Sequence, residues 1–93
     1  MSKDSTAVTR NRFEIEEAGK IAYLEFEIDD LKWMTLWHTE VPQELRGQGI
    51  ASELSKTAFE YAGKNELKVD VICPLAADFV AKHPEYKSLV GKH

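Results

Sequence analysis

The chain has 93 residues, 16 acidic against 12 Lys and Arg for a formal net charge of −4, and 43% hydrophobic content. That length holds one folded domain with a radius of gyration of about 12 Å, and the balance of apolar and charged residues is not that of a disordered chain. The acidic excess argues against a nucleic-acid backbone as partner, no apolar run approaches the ~18 residues of a membrane span, and one cysteine excludes an internal disulfide or a multi-cysteine zinc site.

Met1 to Thr9 lacks hydrophobic periodicity and has no apolar h-region, so residues 1–10 are expected to be a flexible leader and the protein to be cytoplasmic, not secreted. Residues 11–93 then form a single domain. Phe13 and Ile15 alternate with Glu14 and Glu16, the period of a half-buried strand. Ala18-Gly19 supplies a turn, and Ile21–Ile28 puts Ala22, Leu24, Phe26 and Ile28 on one face of a second strand. After a turn at Asp29-Asp30, the β-branched and aromatic run Trp33–Val41 makes a third strand that ends at Pro42. These three strands read as an antiparallel meander.

The period then changes. From Gly49, Ala51, Leu54, Ala58, Tyr61 and Ala62 recur at helical spacing for about four turns, with Glu60 and Lys64 at i,i+4 on the wet side. Val69–Ile72 is a short apolar strand, and Pro74 suits the first position of a second helix, which Pro84 stops near Lys82 or His83. The remaining tail carries Tyr86, Leu89 and Val90. The order βββ-α-β-α is that of an α+β domain, and a strand–helix–strand link makes strands three and four parallel. Ligands of such sheets bind outside the carboxyl ends of the parallel strands.

Two features converge on that edge. The first is the link Glu40-Val41-Pro42-Gln43-Glu44-Leu45-Arg46-Gly47-Gln48-Gly49-Ile50-Ala51. A glycine loop opening a helix aims unpaired N–H groups and the positive end of the helix dipole at one point, and Arg46 adds a charge, so a phosphate or pyrophosphate site is expected there. An ordinary turn explains the same glycines equally well, and neither a Walker loop nor a dinucleotide fingerprint is present.

Arg46-Gly47-Gln48-Gly49-Ile50-Ala51 resembles the Gln/Arg-x-x-Gly-x-Gly/Ala signature of the GNAT superfamily of N-acetyltransferases. With His38-Thr39-Glu40-Val41-Pro42, Leu67-Lys68-Val69, Cys73-Pro74 and His83-Pro84-Glu85-Tyr86, the chain looks like the small GNAT-like, YjdJ-type family from about Phe13 to Val90. The resemblance implies a compact GNAT-like fold with strands three and four splayed, and acetyl-CoA as co-substrate with no metal. In that reading Arg46, Gly47, Gln48, Gly49, Ile50 and Ala51 hold pyrophosphate, and the backbone at Glu40 and Val41 pairs with the pantetheine amides. The chain lacks the helix pair and the last strands of larger GNAT enzymes, so it implies a cofactor site more firmly than any acceptor. Tyr86 has no established equivalence to the tyrosine that many of those enzymes use as general acid.

The second feature is a set of polar side chains at the strand ends. Unbroken alternation through the third strand puts Met34, Leu36, His38 and Glu40 on one face, with His38 and Glu40 about 6.8 Å apart. A histidine there can take the proton of an attacking amine, and Glu40 can do so through water or stand as a rim carboxylate. Cys73 falls at the carboxyl end of the fourth strand, at the start of the Pro74 helix, where a thiol is favoured toward thiolate. Facing His38 across the cleft, it could carry an acetyl group or protonate the departing thiol, although a small buried residue is the plainer reading. Trp33 and Trp37 read as core or helix-packing residues. Glu14, Glu16, Glu17, Glu25 and Glu27 read as a solvated face that could also attract a cationic amine, and His83 and His93 carry little signal. The expectation is an N-acetyltransferase, a monomer or weak dimer acting on an unidentified amine; the alternative is a CoA-binding module with a regulatory or interaction role.

Overall fold

The structure is a computed structural model that describes residues 6–8 and 12–93, with side chains from residue 12 onward. Among the described residues the sheet has five strands in sequence order: β1 (Thr6–Val8), β2 (Arg12–Glu17), β3 (Lys20–Ile28), β4 (Trp33–Glu40) and β5 (Lys68–Val71). The first four are antiparallel, and β4 and β5 run parallel. The two helices are α1 (Ile50–Lys64) and α2 (Pro74–Lys82), flanked by short 3-10 turns at Gln43–Leu45 and Pro84–Leu89. The radius of gyration is 12.6 Å, as the length requires. Strand β1 was not foreseen. It lies within the segment read as a leader, and pairs Thr6 with Ile15 and Val8 with Phe13. The rest of that expected leader lies outside the described residues.

The turns follow from local chemistry. Ala18 and Gly19 both take positive φ, 52° and 75°, the two-residue hairpin conformation whose twist matches its strands. Asp29 Oδ1 accepts N–H bonds from Leu31 (2.9 Å) and Trp33 (3.1 Å), which shapes the next turn. A hydrogen bond from His93, aided by those two amides, holds the Asp29 carboxyl below the usual carboxylate range.

Both helices cover one face of the sheet. Phe13, Leu24, Met34 and Leu36 meet Leu54, Ala58, Phe59 and Ala62 of α1 in one core, and Phe79 of α2 stacks on Phe59 at 6.0 Å. The opposite face carries Arg12, Glu14, Tyr23, Glu25, Glu27, Trp33 and Trp37, and among the described residues no helix lies on it. Trp33 and Trp37 are therefore not helix-packing residues: Trp37 is 48% exposed with its Nε1 donating to Glu27, and Trp33 stacks on His93. Glu17 departs from the expected acidic face because its parity is that of Phe13 and Ile15. The tail is tied down by Val90, which bridges Val69, and by the Gly91 N–H donating to the Val69 carbonyl.

One core group has no partner. Ser55 is 1% exposed, and among the described residues its Oγ alone is a buried side-chain polar atom without a hydrogen bond. Ser55→Ala is expected to raise stability by about 1 kcal/mol, because it removes a desolvated hydroxyl that nothing compensates. An upward shift of the urea midpoint at constant slope is the check.

A candidate active site where two strands part

Strands β4 and β5 pair from Trp33–Lys68 to Leu36–Val71 and then separate. At the parting the Leu36 carbonyl accepts two N–H bonds, from Ile72 (3.0 Å) and Cys73 (2.9 Å). The chain after β5 turns away there, since Cys73 caps α2 and Pro74 opens it. Strand β4 continues alone to Glu40, so a gap opens on its β5 side.

The loop between β4 and α1 closes the gap from below. Gly47 and Gly49 sit at φ 81° and 78°, a region that only glycine enters without strain, and a Cβ at either would meet open space. Gly49 caps α1, and no side chain caps that end. The N–H groups of Ile50, Ala51 and Ser52 therefore have no intrahelical acceptor and, with the helix dipole, favour an anion. A cavity of about 370 Å³ lies in front of them. Thr39, Glu40 and Val41 line it from the strand end, Arg46, Gly47 and Gly49 from the loop, Ile50, Ala51 and Ser52 from α1, and Leu75 from α2. Arg46 Nε donates to the Val41 carbonyl at 3.0 Å, which fixes its guanidinium at the rim and leaves its terminal amino groups for a phosphate. Gln48 turns its side chain back, Nε2 to the Glu44 carbonyl at 3.4 Å. Glu44 meets Lys20 at 3.6 Å, and its own backbone N–H and that ammonium hold its carboxyl below the usual range.

The polar set at the strand end is arranged differently from the expectation. Register along β3 and β4 shifts by one residue: Glu25 pairs with His38 and Phe26 with Leu36, leaving Trp37 as an extra residue. A bulge of this kind puts two successive side chains on the same face. His38 and Glu40 consequently share the helix-free face with Tyr23 and Glu25, whereas Thr39, paired with buried Leu24, turns into the core side. His38 Nε2 lies 3.0 Å from Glu40 Oε1, and its ring stands edge-on to Tyr23 at 6.3 Å. The structure thus brings His38 and Glu40 together and does not bring His38 to Cys73. Cys73 is 1% exposed, and its Sγ lies 3.1 Å from Thr39 Oγ1.

Thr39 is the site residue that the sequence reading missed. A signal was present: alternation read forward from Met34 places His38 inward, but read backward from Val41, which is buried, it places Thr39 inward. Two phases that disagree mark an extra residue between them. The other candidates lie elsewhere. Tyr86 donates to Glu60 Oε2 at 3.2 Å beside α1 and does not line the cavity; burial, and then the Glu60 charge, push its phenol above the ordinary value. His83 stacks on Phe79, and His93 contacts Asp29. Among the described residues no helix is long and apolar enough to cross a membrane, and no three His, Cys, Asp or Glu side chains converge as a metal site.

Comparison with known proteins agrees with this geometry. A family model described as GCN5-related N-acetyl-transferase matches residues 12–89. Protein NATD1 of Danio rerio is 36% identical over 81 residues, 83% of this chain and 74% of the relative. The same-named protein of Xenopus tropicalis is 36% identical over 63 residues, so that the chain spans 58% of that relative's length. The human protein is 35% identical over 63 residues, 56% of its length. The NMR solution structure of a GCN5-like protein from Staphylococcus aureus superposes with a TM-score of 0.75 at 28% identity, covering 100% of this chain and 93% of that one. With its splayed parallel strands and its glycine loop at the helix start, the chain belongs to the GCN5-related N-acetyltransferase family.

Proposed function

We propose that the protein binds acetyl-CoA and transfers its acetyl group to an amine. The observation that carries this reading is the uncapped, glycine-opened start of α1 facing a cavity at the parting of β4 and β5. An elongated anionic thioester suits this arrangement: the amides after Gly49, with Gly47 and the Arg46 guanidinium, would take a pyrophosphate, and the gap beside Glu40 and Val41 would admit a narrow amide-bearing arm, whereas the Gln48 side chain is turned onto the Glu44 carbonyl and away from the cavity. Acetyl-CoA supplies an activated acyl carbon, so the chain's own residues need only orient it and move protons.

Those proton roles divide between the two faces of the sheet. Glu40 lines the cavity and holds His38, which does not line it, on the open face; in this reading the pair takes the proton of an amine arriving from that side. Cys73, on the core side, has no base beside it, which favours direct transfer over an acetyl-cysteine. The cytoplasm suits this reading, because a reduced thiol persists there. The domain would act as a monomer or weak dimer. The same separation of His38 from Cys73 favours, as a second reading, a module that holds CoA without turning it over.

Titration calorimetry with acetyl-CoA, followed by transfer of its labelled acetyl group to a panel of polyamines and lysine peptides, separates the two. Binding with transfer is the expected result. Binding without transfer to any amine would leave the module, and no heat of binding would overturn both.

A further inference from the structure

We propose that Thr39 is the cavity-facing end of a proton relay, passing the Cys73 thiol proton to the sulfur that leaves the thioester. The inference rests on the transferase reading above and adds a residue and a direction to it. Thr39 lines the cavity, and Cys73 does not. Cys73 is 1% exposed, so its proton reaches the cavity only through a neighbour, and Thr39 Oγ1, at 3.1 Å, is the partner it has. Thr39 is itself 6% exposed, whereas Ser52, the other hydroxyl on the cavity wall, is exposed. A hydroxyl both accepts and donates. With the Cys73 S–H donating to Oγ1, the threonine proton is free to point into the cavity.

The step balances. The acceptor nitrogen bonds to the acetyl carbon as the carbon–sulfur bond breaks. The Thr39 O–H proton then passes to the departing sulfur, and the Cys73 proton replaces it on Oγ1. Cys73, at the N-cap of α2, is left as a thiolate until it is reprotonated. The acylated nitrogen gives its surplus proton to the Glu40–His38 pair, and Cys73 regains one from cavity water through Thr39 Oγ1.

The bulge at Trp37 gives the relay its sequence logic, since without it a core-side threonine would not stand opposite Cys73. The chain has one cysteine, so its S–H stretching band in the infrared belongs to Cys73 alone. In the free protein that band should lie at the hydrogen-bonded position, move to the unbonded position in Thr39→Val, and return in Thr39→Ser. Valine keeps the shape of threonine, so packing alone would not move the band. With acetyl-CoA and a polyamine or lysine-peptide acceptor, Thr39→Val should lower kcat about a hundredfold with an unchanged KM for acetyl-CoA, and Thr39→Ser should restore most of it. A wild-type band at the unbonded position, or a kcat indifferent to Thr39→Val, overturns the relay alone. Failure of the wild-type protein to consume acetyl-CoA with any acceptor overturns the transferase reading and the relay with it.

Discussion

Gly49→Glu is expected to abolish measurable acetyl-CoA binding while the domain stays folded. A Cβ at Gly49 would meet open space, so a glutamate can be housed there, next to the α1 amides, without displacing the core. It then occupies the anion position and repels any pyrophosphate that approaches. Two lost charge-assisted hydrogen bonds amount to roughly 3 kcal/mol or more, a loss of at least about a hundredfold in affinity before repulsion is added. Keeping a non-glycine residue at φ 78° costs about 1–2 kcal/mol, against roughly 5–14 kcal/mol of stability for a chain of this length. Calorimetry should therefore lose its signal while circular dichroism stays that of the parent. Gly49→Ala carries the same backbone strain without the charge, so retention of most affinity by that variant assigns the effect to the anion site. Undiminished binding by Gly49→Glu would place the pyrophosphate elsewhere.

The largest effect on stability belongs to Phe59→Ala. Phe59 is fully buried in the middle of α1, with Phe79 of α2 stacked at 6.0 Å and Tyr86 at 5.5 Å. It joins the second helix and the C-terminal turn to the sheet-facing core, so its removal leaves a void with walls on three elements. Truncation of such a ring costs about 3–5 kcal/mol, roughly a fifth or more of the whole, and should lower Tm by about 15–30 °C. The urea midpoint should fall in step. A shift of only a few degrees would mean that α2 and the tail collapse onto the vacancy.

The elements were legible because their periods are strong. Strands β2 to β5 and both helices were read close to their observed bounds, since Leu24 and Phe26 alternate cleanly and Leu54, Ala58 and Ala62 recur at helical spacing. Strand β1 was not legible: three residues, Thr6-Ala7-Val8, carry too little alternation to signal a strand, and only pairing with β2 makes it one. The glycine loop's backbone was legible from Gly47 and Gly49, because positive φ and the absence of a cap are written in the residues themselves. The cysteine's partner was not. Parity propagates along a strand, so one extra residue at Trp37 exchanges His38 for Thr39 on the core side. That shift depends on the twist and pairing of β3 against β4, which no count of residues along β4 alone contains.

Two amides of the chain after β5 share one oxygen at Leu36, and this gives the gap a fixed pivot made entirely of main chain. Its position is indifferent to which side chain stands at residue 36, 72 or 73, so drift in those residues can reshape the walls without moving the apex of the wedge.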